Sequence, residues 1–478
     1  MYMLAGIMIA VLVLTAIVLI RTLKLKPTPA KTAKIDLENS ERAKYYGQRL
    51  ASMVQKETIS ARGQTDLTKF YELHKQLEIL FPNLHRVCEK HDLEGNLLFR
   101  WKGKGTKEPM LLMSHQDVVE ANGEWEHAPF SGDIDEKGRV WGRGTVDTKG
   151  NLFCMMTAVE ELIEEGYVPE GDLYIASSCT EEISGDGAPM IVEYLKSQGV
   201  HLGFLMDEGG MIVENPVGGV KGLYGMVGVV EKGYGDVKFV ARGKGGHASA
   251  PGKNTPLVRL GKFMSEMDKN NPFTAKMTPT VREMFTRMAP NMDFGMRMIF
   301  ANLWLFEGLL VKLLPMISPA AAAMTRTTMA FTTAKGSDGL NVLPQEACVT
   351  ANMRYIHHQP NKESIELVRK KAEKYGIETI ALYNDEPCPI VDYHSETFRQ
   401  IEKISAEIYP GVGICPYTMT GGTDAKFYKE ICENAIRFAP LFIDQEQYAS
   451  IHGINENIYQ GALPKAVDFY RMLVKNRR

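Results

Sequence analysis

The chain has no surplus of charge of either sign. Lys and Arg number 55 against 58 Asp and Glu, a formal net charge of −3, and no basic run stands out, so nucleic acid is not expected as a partner. It also lacks a cysteine pattern. The seven cysteines, Cys88, Cys154, Cys179, Cys348, Cys388, Cys415 and Cys432, are odd in number and have no CxxC spacing. A disulfide framework and a thiolate zinc site are therefore not expected, and free, mostly buried thiols are. Nor is the composition that of a disordered chain, with 44% of residues hydrophobic and 24% charged. A length of 478 residues exceeds what one core ordinarily organises, so two domains are expected.

The opening run MYMLAGIMIAVLVLTAIVLI lacks charge altogether and is long enough to span hydrocarbon as a helix. A cleaved signal peptide would carry a basic start and a small-residue cleavage site, and neither is evident. Residues 1–22 are thus expected to form a single-pass membrane anchor, and residues 23–40, with prolines and lysines, an exposed stalk. Arg21, Lys24, Lys26, Lys31 and Lys34 all follow the span, which by the positive-inside rule places the body in the cytoplasm. Unpaired cysteines agree with that side.

Beyond the stalk, helix-period and strand-period text alternate. ERAKYYGQRLASMVQKE and DLTKFYELHKQLEILF are amphipathic at 3.6 spacing, LLFRWKG and PMLLMSH read as buried strands, NLFCMMTAVEELIEEG as a helix ended by Gly166, and DLYIASSCT and GFLMDEG as strands again. This predicts an α/β sheet covered on both faces, over 41–225 and again over 387–478. Between them, 226–386 reads β-α-β-β-α-β, a ferredoxin-like α+β insert. Within it, residues 296–324 are strongly apolar but interrupted by Glu307, Lys312 and two prolines. Core or lid helices are expected there. A surface touching the membrane, a partner subunit or a lipid-like substrate is the sharper alternative, and a second span is disfavoured.

Acidic and imidazole groups gather at the predicted strand ends. MLLMSHQDVV carries His115 and Asp117; two apart in a strand, they point the same way, so Asp117 can orient the imidazole. WGRGTVDTKGN places Asp147 in a turn before a helix. SSCTEEISGDG brings Glu181 and Glu182, GFLMDEGG brings Asp207 and Glu208, and HGINE brings His452. Each alone is ordinary. Together, at the carboxyl ends of strands where open α/β sheets build their sites, they offer two imidazoles and several carboxylates. Nitrogen and oxygen donors without thiolate suit a catalytic pair of zinc ions, with cobalt or manganese as substitutes. A carboxylate bridge between two metals activates a shared water.

HQDVV, WEHAPFSG, GRGTVDTKG, TEEISGDGA, GKGGHAS, NVLP and GGTDA follow one another in an order that resembles the M20 metallopeptidases, nearest the branch of carboxypeptidase S and the N-acyl-amino-acid hydrolases. The likeness covers roughly residues 45–475. It implies that Asp147 bridges both metals, that His115 and Asp207 complete one site, and that Glu182 and His452 complete the other. It further implies Glu181 as general base and Asp117 as the carboxylate behind His115. The insert becomes a lid or dimerisation domain whose His247 stabilises the oxyanion, sometimes from a partner subunit, so a homodimer is implied. Asn341, Arg354, Gly422 and Thr423 match positions that bind the substrate carbonyl or carboxylate, and a guanidinium suits a carboxylate well. Thr148 departs from the pattern, since many relatives have an acidic residue there; it is not itself a ligand.

The expected activity is hydrolysis of an amide next to a free carboxylate in a small molecule, a peptide or an N-acyl amino acid. A soluble biosynthetic deacylase of the acetylornithine or succinyl-diaminopimelate class would share the chemistry, but the anchor speaks against it. A silent membrane-tethered binding protein would have lost a ligand or the base, and none is missing. The family includes proteins whose catalytic part lies in a vacuole or outside the cell, so the membrane side stays open.

Overall fold

The apolar runs read as buried strands form Asn96–Trp101, Met110–Met113 and Leu173–Ser177, and of their residues only Arg100 is not buried. Continuous apolar text is what a strand covered on both faces requires. The computed structural model describes residues 2–476. In it these strands belong to an eight-stranded mixed sheet in the spatial order 89–93, 96–101, 173–177, 110–113, 204–214, 435–443, 223–231, 413–419. Met110–Met113 runs parallel to both Leu173–Ser177 and Phe204–Glu214, and Ala435–Ile443 parallel to Phe204–Glu214. The carboxyl ends of these central strands therefore open on one edge.

Alternate strand residues feed two cores. Leu97, Phe99, Leu112, Ile175 and Met206 pack under the helices Glu41–Val54, Thr68–Leu80, Lys149–Glu164 and Leu463–Asn476. Leu98, Leu111, Ala176 and Leu205 pack under Gly187–Ser197 and the 3-10 turns of Asp424–Glu430. Each large apolar side chain so buried contributes roughly 1.5–3 kcal/mol. Lys149–Glu164 is the central helix, buried along almost its whole length. Its one deeply placed acid, Glu160, is satisfied by the N–H groups of Asn83 (3.0 Å) and Leu84 (2.7 Å). Gly166, in the left-handed region at φ 75°, ends that helix, its N–H returning to Ile163 O at 2.9 Å.

A second, four-stranded antiparallel sheet has the order 328–335, 346–355, 233–242, 377–384. With helices Pro256–Lys269 and Asn361–Glu373 on one face, it follows the β-α-β-β-α-β order read from the sequence. After the exposed Glu346, strand Glu346–Tyr355 alternates buried and half-buried residues, the period-2 pattern of a one-sided sheet.

One stretch differs from expectation, and a second forms the expected helices but packs on the large sheet. Residues 25–40 do not stand free as a stalk. Ala30 is 1% exposed, its carbonyl close over Gly222, where a Cβ would lie 2.1 Å from it. Thr28 N donates to Asn291 Oδ1 (2.9 Å) and Glu38 N to Gly461 O (3.2 Å). The apolar side chains Ala30 and Ile35 gain more by lying on the core than by remaining in water. The apolar stretch near 296–324 forms the helices Phe294–Phe300, Leu303–Ile317 and Pro319–Thr325, the first two meeting at 107°. With Pro279–Met288 they pack on the large sheet's core, through Val281, Phe285, Phe300 and Leu314, and not on the small sheet. The helix Tyr2–Lys24 is long and apolar enough to cross a membrane and is almost wholly exposed.

Candidate metal centre and active site

Four separate segments meet at the carboxyl edge of the large sheet. His115 and Asp117 follow Met110–Met113, Glu181 and Glu182 follow Leu173–Ser177, and Asp147 precedes the central helix. His452 arrives from the far end of the chain. What joins it to Asp147 is Glu456, which is fully buried. Its Oε1 accepts the N–H groups of Gly144 (3.1 Å), Val146 (2.8 Å) and Asp147 (3.0 Å), while Oε2 accepts Arg143 Nη1 at 2.8 Å. Arg143 Nη2 donates in turn to Gly453 O at 2.6 Å. The HGINE segment is thus clamped onto the GRGTVD loop, and His452, at φ 57°, brings its half-exposed ring to Asp147 and Glu182.

Asp147 lies between the two imidazoles. Its Oδ1 is 3.0 Å from His115 Nε2, and its Oδ2 is 3.0 Å from His452 Nε2. His452 Nε2 is also 3.1 Å from Glu182 Oε2. One carboxylate addressing two separate imidazole-bearing sets is the disposition of a bridging ligand. The other carboxylate oxygen of Glu182, Oε1, is buried with no hydrogen-bond partner among the described residues. Buried polar atoms are rarely left so. His115, Asp147 and Glu182 each offer a ligand atom within 4.8 Å of the others. The donor set and the orphaned oxygen both fit divalent cations.

Behind this cluster, Asp117 acts as a staple. Its Oδ1 accepts Glu181 N (3.2 Å), and its Oδ2 accepts Glu182 N (3.1 Å) and Ser60 Oγ (2.7 Å). His115 Nδ1 faces the Asp117 backbone carbonyl at 2.9 Å and Asp117 Oδ1 at 3.4 Å, which leaves Nε2 for the site. Glu181 Oε2 is 3.9 Å from His115 Nε2.

Electrostatics follow from packing so many acids together. Burial raises the Glu181 carboxyl well above the usual range, with Asp424, Glu208 and Glu182 adding to the shift against the opposing pull of His115. Burial also raises Glu182, Asp147 adding and His452 opposing. Asp147 is also buried, yet the His115 and His452 imidazoles hold it well below the usual carboxylate range. His452 is pushed up to about 10 by Asp147 and Glu182. Buried like charges of this density call for a compensating cation.

Asp207 is held by two backbone N–H groups. Its Oδ1 accepts Glu208 N (2.8 Å) and its Oδ2 accepts Ala425 N (2.9 Å), and burial beside Asp424 pushes it up to about 7. Burial raises the neighbouring Glu208 well above its ordinary range, with Asp147, Asp207 and Glu182 adding to the shift and His115 opposing it. Asp424 is an acid that sequence reasoning passed over. It accepts Ser178 Oγ, and burial pushes it up to about 6. It lies inside the GGTDA motif, beside Thr423, but nothing in one-dimensional text says that its side chain turns toward the acids of the other strand ends.

The remaining candidates divide into two groups. Gly422, Thr423 and Arg354 come together: a Cβ at Gly422 would lie 3.8 Å from Arg354 Nη1. The turn is held by the buried Glu231, which accepts Thr423 Oγ1 (2.7 Å) and Thr423 N (3.2 Å). Arg354 stacks over the Tyr234 ring, 4.6 Å from its centroid, and makes no ion pair among the described residues. Burial lowers its pKa, with the Tyr234, Asp236, Glu231 and Glu181 charges opposing, and Glu181 in that set places it toward the site. His247 and Asn341 are brought to each other instead, on an exposed ribbon where His247 pairs with Val342 and Ala248 N donates to Asn341 O at 2.9 Å. Among the described residues, no hydrogen bond or ion pair joins that ribbon to the metal cluster.

An apolar cavity of about 460 Å³, a size ordinary for small-molecule sites, is reached by chain neighbours of the cluster. One wall includes Gly209 and Ile451, which follow and precede Glu208 and His452 in the chain, and Thr420, just before the GGT turn. Its far wall includes Phe285, Phe300 and Leu314, from the helices at 279–325.

A profile described as "Peptidase family M20/M25/M40" matches residues 111–476. The chain is 32% identical to the probable carboxypeptidase S-like 2 of Dictyostelium discoideum, over 90% of this chain and 84% of that protein. It is 30% identical to the N-fatty-acyl-amino acid synthase/hydrolase PM20D1 of Xenopus tropicalis, over 99% of this chain and 94% of that protein. Its fold is similar to that of an M20 family metallo-carboxypeptidase from Sulfolobus solfataricus, with a TM-score of 0.67 at 19% identity, covering 91% of this chain and 99% of that one.

Proposed function

The chain belongs to peptidase family M20/M25/M40, a hydrolase family, and on that premise we propose that it is a membrane-anchored, two-metal enzyme cutting an amide bond next to a free carboxylate, with an apolar acyl or peptide group on the other side of that bond. The observation that carries the reading is Asp147, its two oxygens 3.0 Å from two different imidazoles beside the unpartnered Glu182 Oε1. Asp147 would be the shared ligand; His115 would hold one ion, with a carboxylate from the Asp207–Glu208 pair, and Glu182 and His452 would hold the other. Zinc suits these nitrogen and oxygen donors. Ions bound there supply Lewis acidity to the scissile carbonyl and to the attacking water.

The chain's own groups do the rest. Glu181, raised by burial, takes the proton of the attacking water and returns it to the leaving amine. Arg354, free of an acidic partner and stacked on Tyr234, receives the substrate carboxylate together with the Gly422–Thr423 backbone. The apolar cavity beside Gly209 and Ile451 takes the acyl chain or an apolar side chain and excludes water from it. This supports an N-acyl-amino-acid or carboxypeptidase-type substrate over a small polar one. His247 and Asn341 serve the oxyanion and carbonyl from a partner subunit, since their ribbon is exposed and apart from the cluster.

The test is amine release by purified full-length enzyme from N-acyl amino acids of graded chain length and from dipeptides. Activity is expected to vanish on chelation and return with zinc. In Glu181→Ala, kcat is expected to fall by about 10²–10⁴-fold with two ions per chain still bound. Full activity in exhaustively metal-free protein, or in Glu181→Ala, would sink the reading.

A further inference from the structure

The helix Leu303–Ile317 has no polar face. A helix on a soluble surface buries an apolar stripe and offers polar residues to water. Here Leu303, Leu310 and Leu314 point into the core, and the opposite side carries Trp304 (53% exposed), Leu305, Leu309 (57%), Leu313 and Met316 (80%). Lys312 is the one charge on that outer side; Glu307 pairs with Arg282 at the flank. A continuous exposed apolar strip of this kind marks an interaction surface.

What covers it is indicated by the N-terminal helix. Val18 and Thr22 are the buried residues of Tyr2–Lys24, and both meet the elbow where Phe294–Phe300 turns into Leu303–Ile317. Asn302 Nδ2 donates to Val18 O (3.3 Å) and Thr22 Oγ1 (3.3 Å), and Arg21 Nε to Ala301 O (3.5 Å). Arg297 Nη1 adds a contact to Leu25 O at 3.4 Å. The elbow is therefore fixed at the last turns of the apolar helix. At a rise of 1.5 Å per residue, Val18 stands only about 9 Å from the end of that helix. If Tyr2–Lys24 crosses a bilayer, the elbow lies at the boundary between headgroups and acyl chains, and the exposed strip begins at that level. Trp304 is of a type favoured there, and Arg21, Lys24 and Lys312 fit the phosphate layer.

We propose that the outer face of Leu303–Ile317 seats in the lipid bilayer beside the anchor, so that the helix lies in the plane of the membrane surface with the apolar cavity directly behind it. This rests on the anchor reading given above. The occupant is lipid, since the strip is continuous with the one helix in the described chain that is long and apolar enough to span. The seated helix supplies Leu314 to the cavity from its inner side. It thereby sets the substrate pocket against the membrane, and a substrate with a long apolar chain would be taken from the bilayer and not from water.

The experiment uses full-length protein in phosphatidylcholine–phosphatidylglycerol vesicles, with part of the lipid brominated on the acyl chain. The Trp304 signal is the difference between wild type and Trp304→Phe. Expected are retention in the vesicles at high pH and quenching of the Trp304 component by brominated lipid. Leu309→Asp/Leu313→Asp should abolish that quenching and raise KM for a long-chain N-acyl amino acid presented in vesicles by about ten-fold or more, leaving kcat/KM for the N-acetyl compound in water unchanged. Release from vesicles at high pH would overturn the anchor reading, and this proposal with it. Protein retained in vesicles with Trp304 unquenched by lipid would overturn the seating alone. So would a Trp304 shielded from lipid and water together, the sign of a second protein on the strip.

Discussion

At the scale of single residues, the site is decided by which of two adjacent acids points where. Asp207 spends both oxygens on backbone N–H donors, whereas no such donor is bonded to the Glu208 carboxyl among the described residues, and the charges of Asp147, His115 and Glu182 act on it. Glu208→Gln is accordingly expected to lower metal content from two ions per chain to one. Asp207→Asn should keep both ions and lose thermal stability as the turn at Ala425 loosens. Metal analysis beside thermal unfolding checks the pair, and the reverse pattern would make Asp207 the ligand. Lys232 is a second residue with a directional consequence. Its ammonium donates to Ala323 O (3.0 Å) and Arg326 O (2.9 Å), yet burial, with Arg354 and Arg326 nearby, lowers its pKa from 10.5 to about 7. Between pH 7 and 10.5 the unfolded chain holds this proton and the folded chain does not, so stability gained from this group rises with pH across that window. Lys232→Met is expected to flatten the rise, measured as unfolding midpoint against pH relative to wild type.

At the scale of elements, two loops distant in sequence share one buried carboxylate. Glu456 accepts three backbone N–H groups of the 144–147 loop and neutralises Arg143. Glu456→Gln leaves the guanidinium buried without its charge partner and weakens the loop that aims Asp147. A loss of roughly 3–5 kcal/mol is expected, with weaker metal binding, read by denaturant unfolding and zinc titration; an unchanged midpoint would show that water replaces the clamp. The helices between 279 and 325 make the same point differently. They fall inside the text of the small α+β unit but belong by packing to the large sheet, because their apolar faces match its edge strand Gly413–Met419 and the small sheet's helices are already in place.

At the scale of the whole molecule, His247 and Asn341 stand on an exposed ribbon that no hydrogen bond or ion pair among the described residues joins to the His115–Asp147–Glu182 cluster, so a partner subunit is the means by which they would reach a site. Mixing Glu181→Ala with His247→Ala chains, each inactive alone, is expected to restore about a quarter of wild-type activity, as random pairing in a two-fold dimer leaves one intact site in half of the dimers. No recovery after subunit exchange would place His247 in its own chain's site or outside catalysis. The sequence by itself determined much: buried strands from unbroken apolar runs, the β-α-β-β-α-β order, and His115, Asp147, Glu182 and His452 as one cluster with Glu181 and Asp117 behind it. Those follow from local periodicity and from an ordered set of motifs, both one-dimensional properties. Only the tertiary structure decided that Glu208 and Asp424 join the acids, that Glu456 clamps the Asp147 loop, that residues 25–40 lie on the body, and that Leu303–Ile317 keeps an apolar face outward beside the N-terminal helix. Each of these depends on which side chain meets a segment hundreds of residues away or the solvent, and that is set by packing in three dimensions.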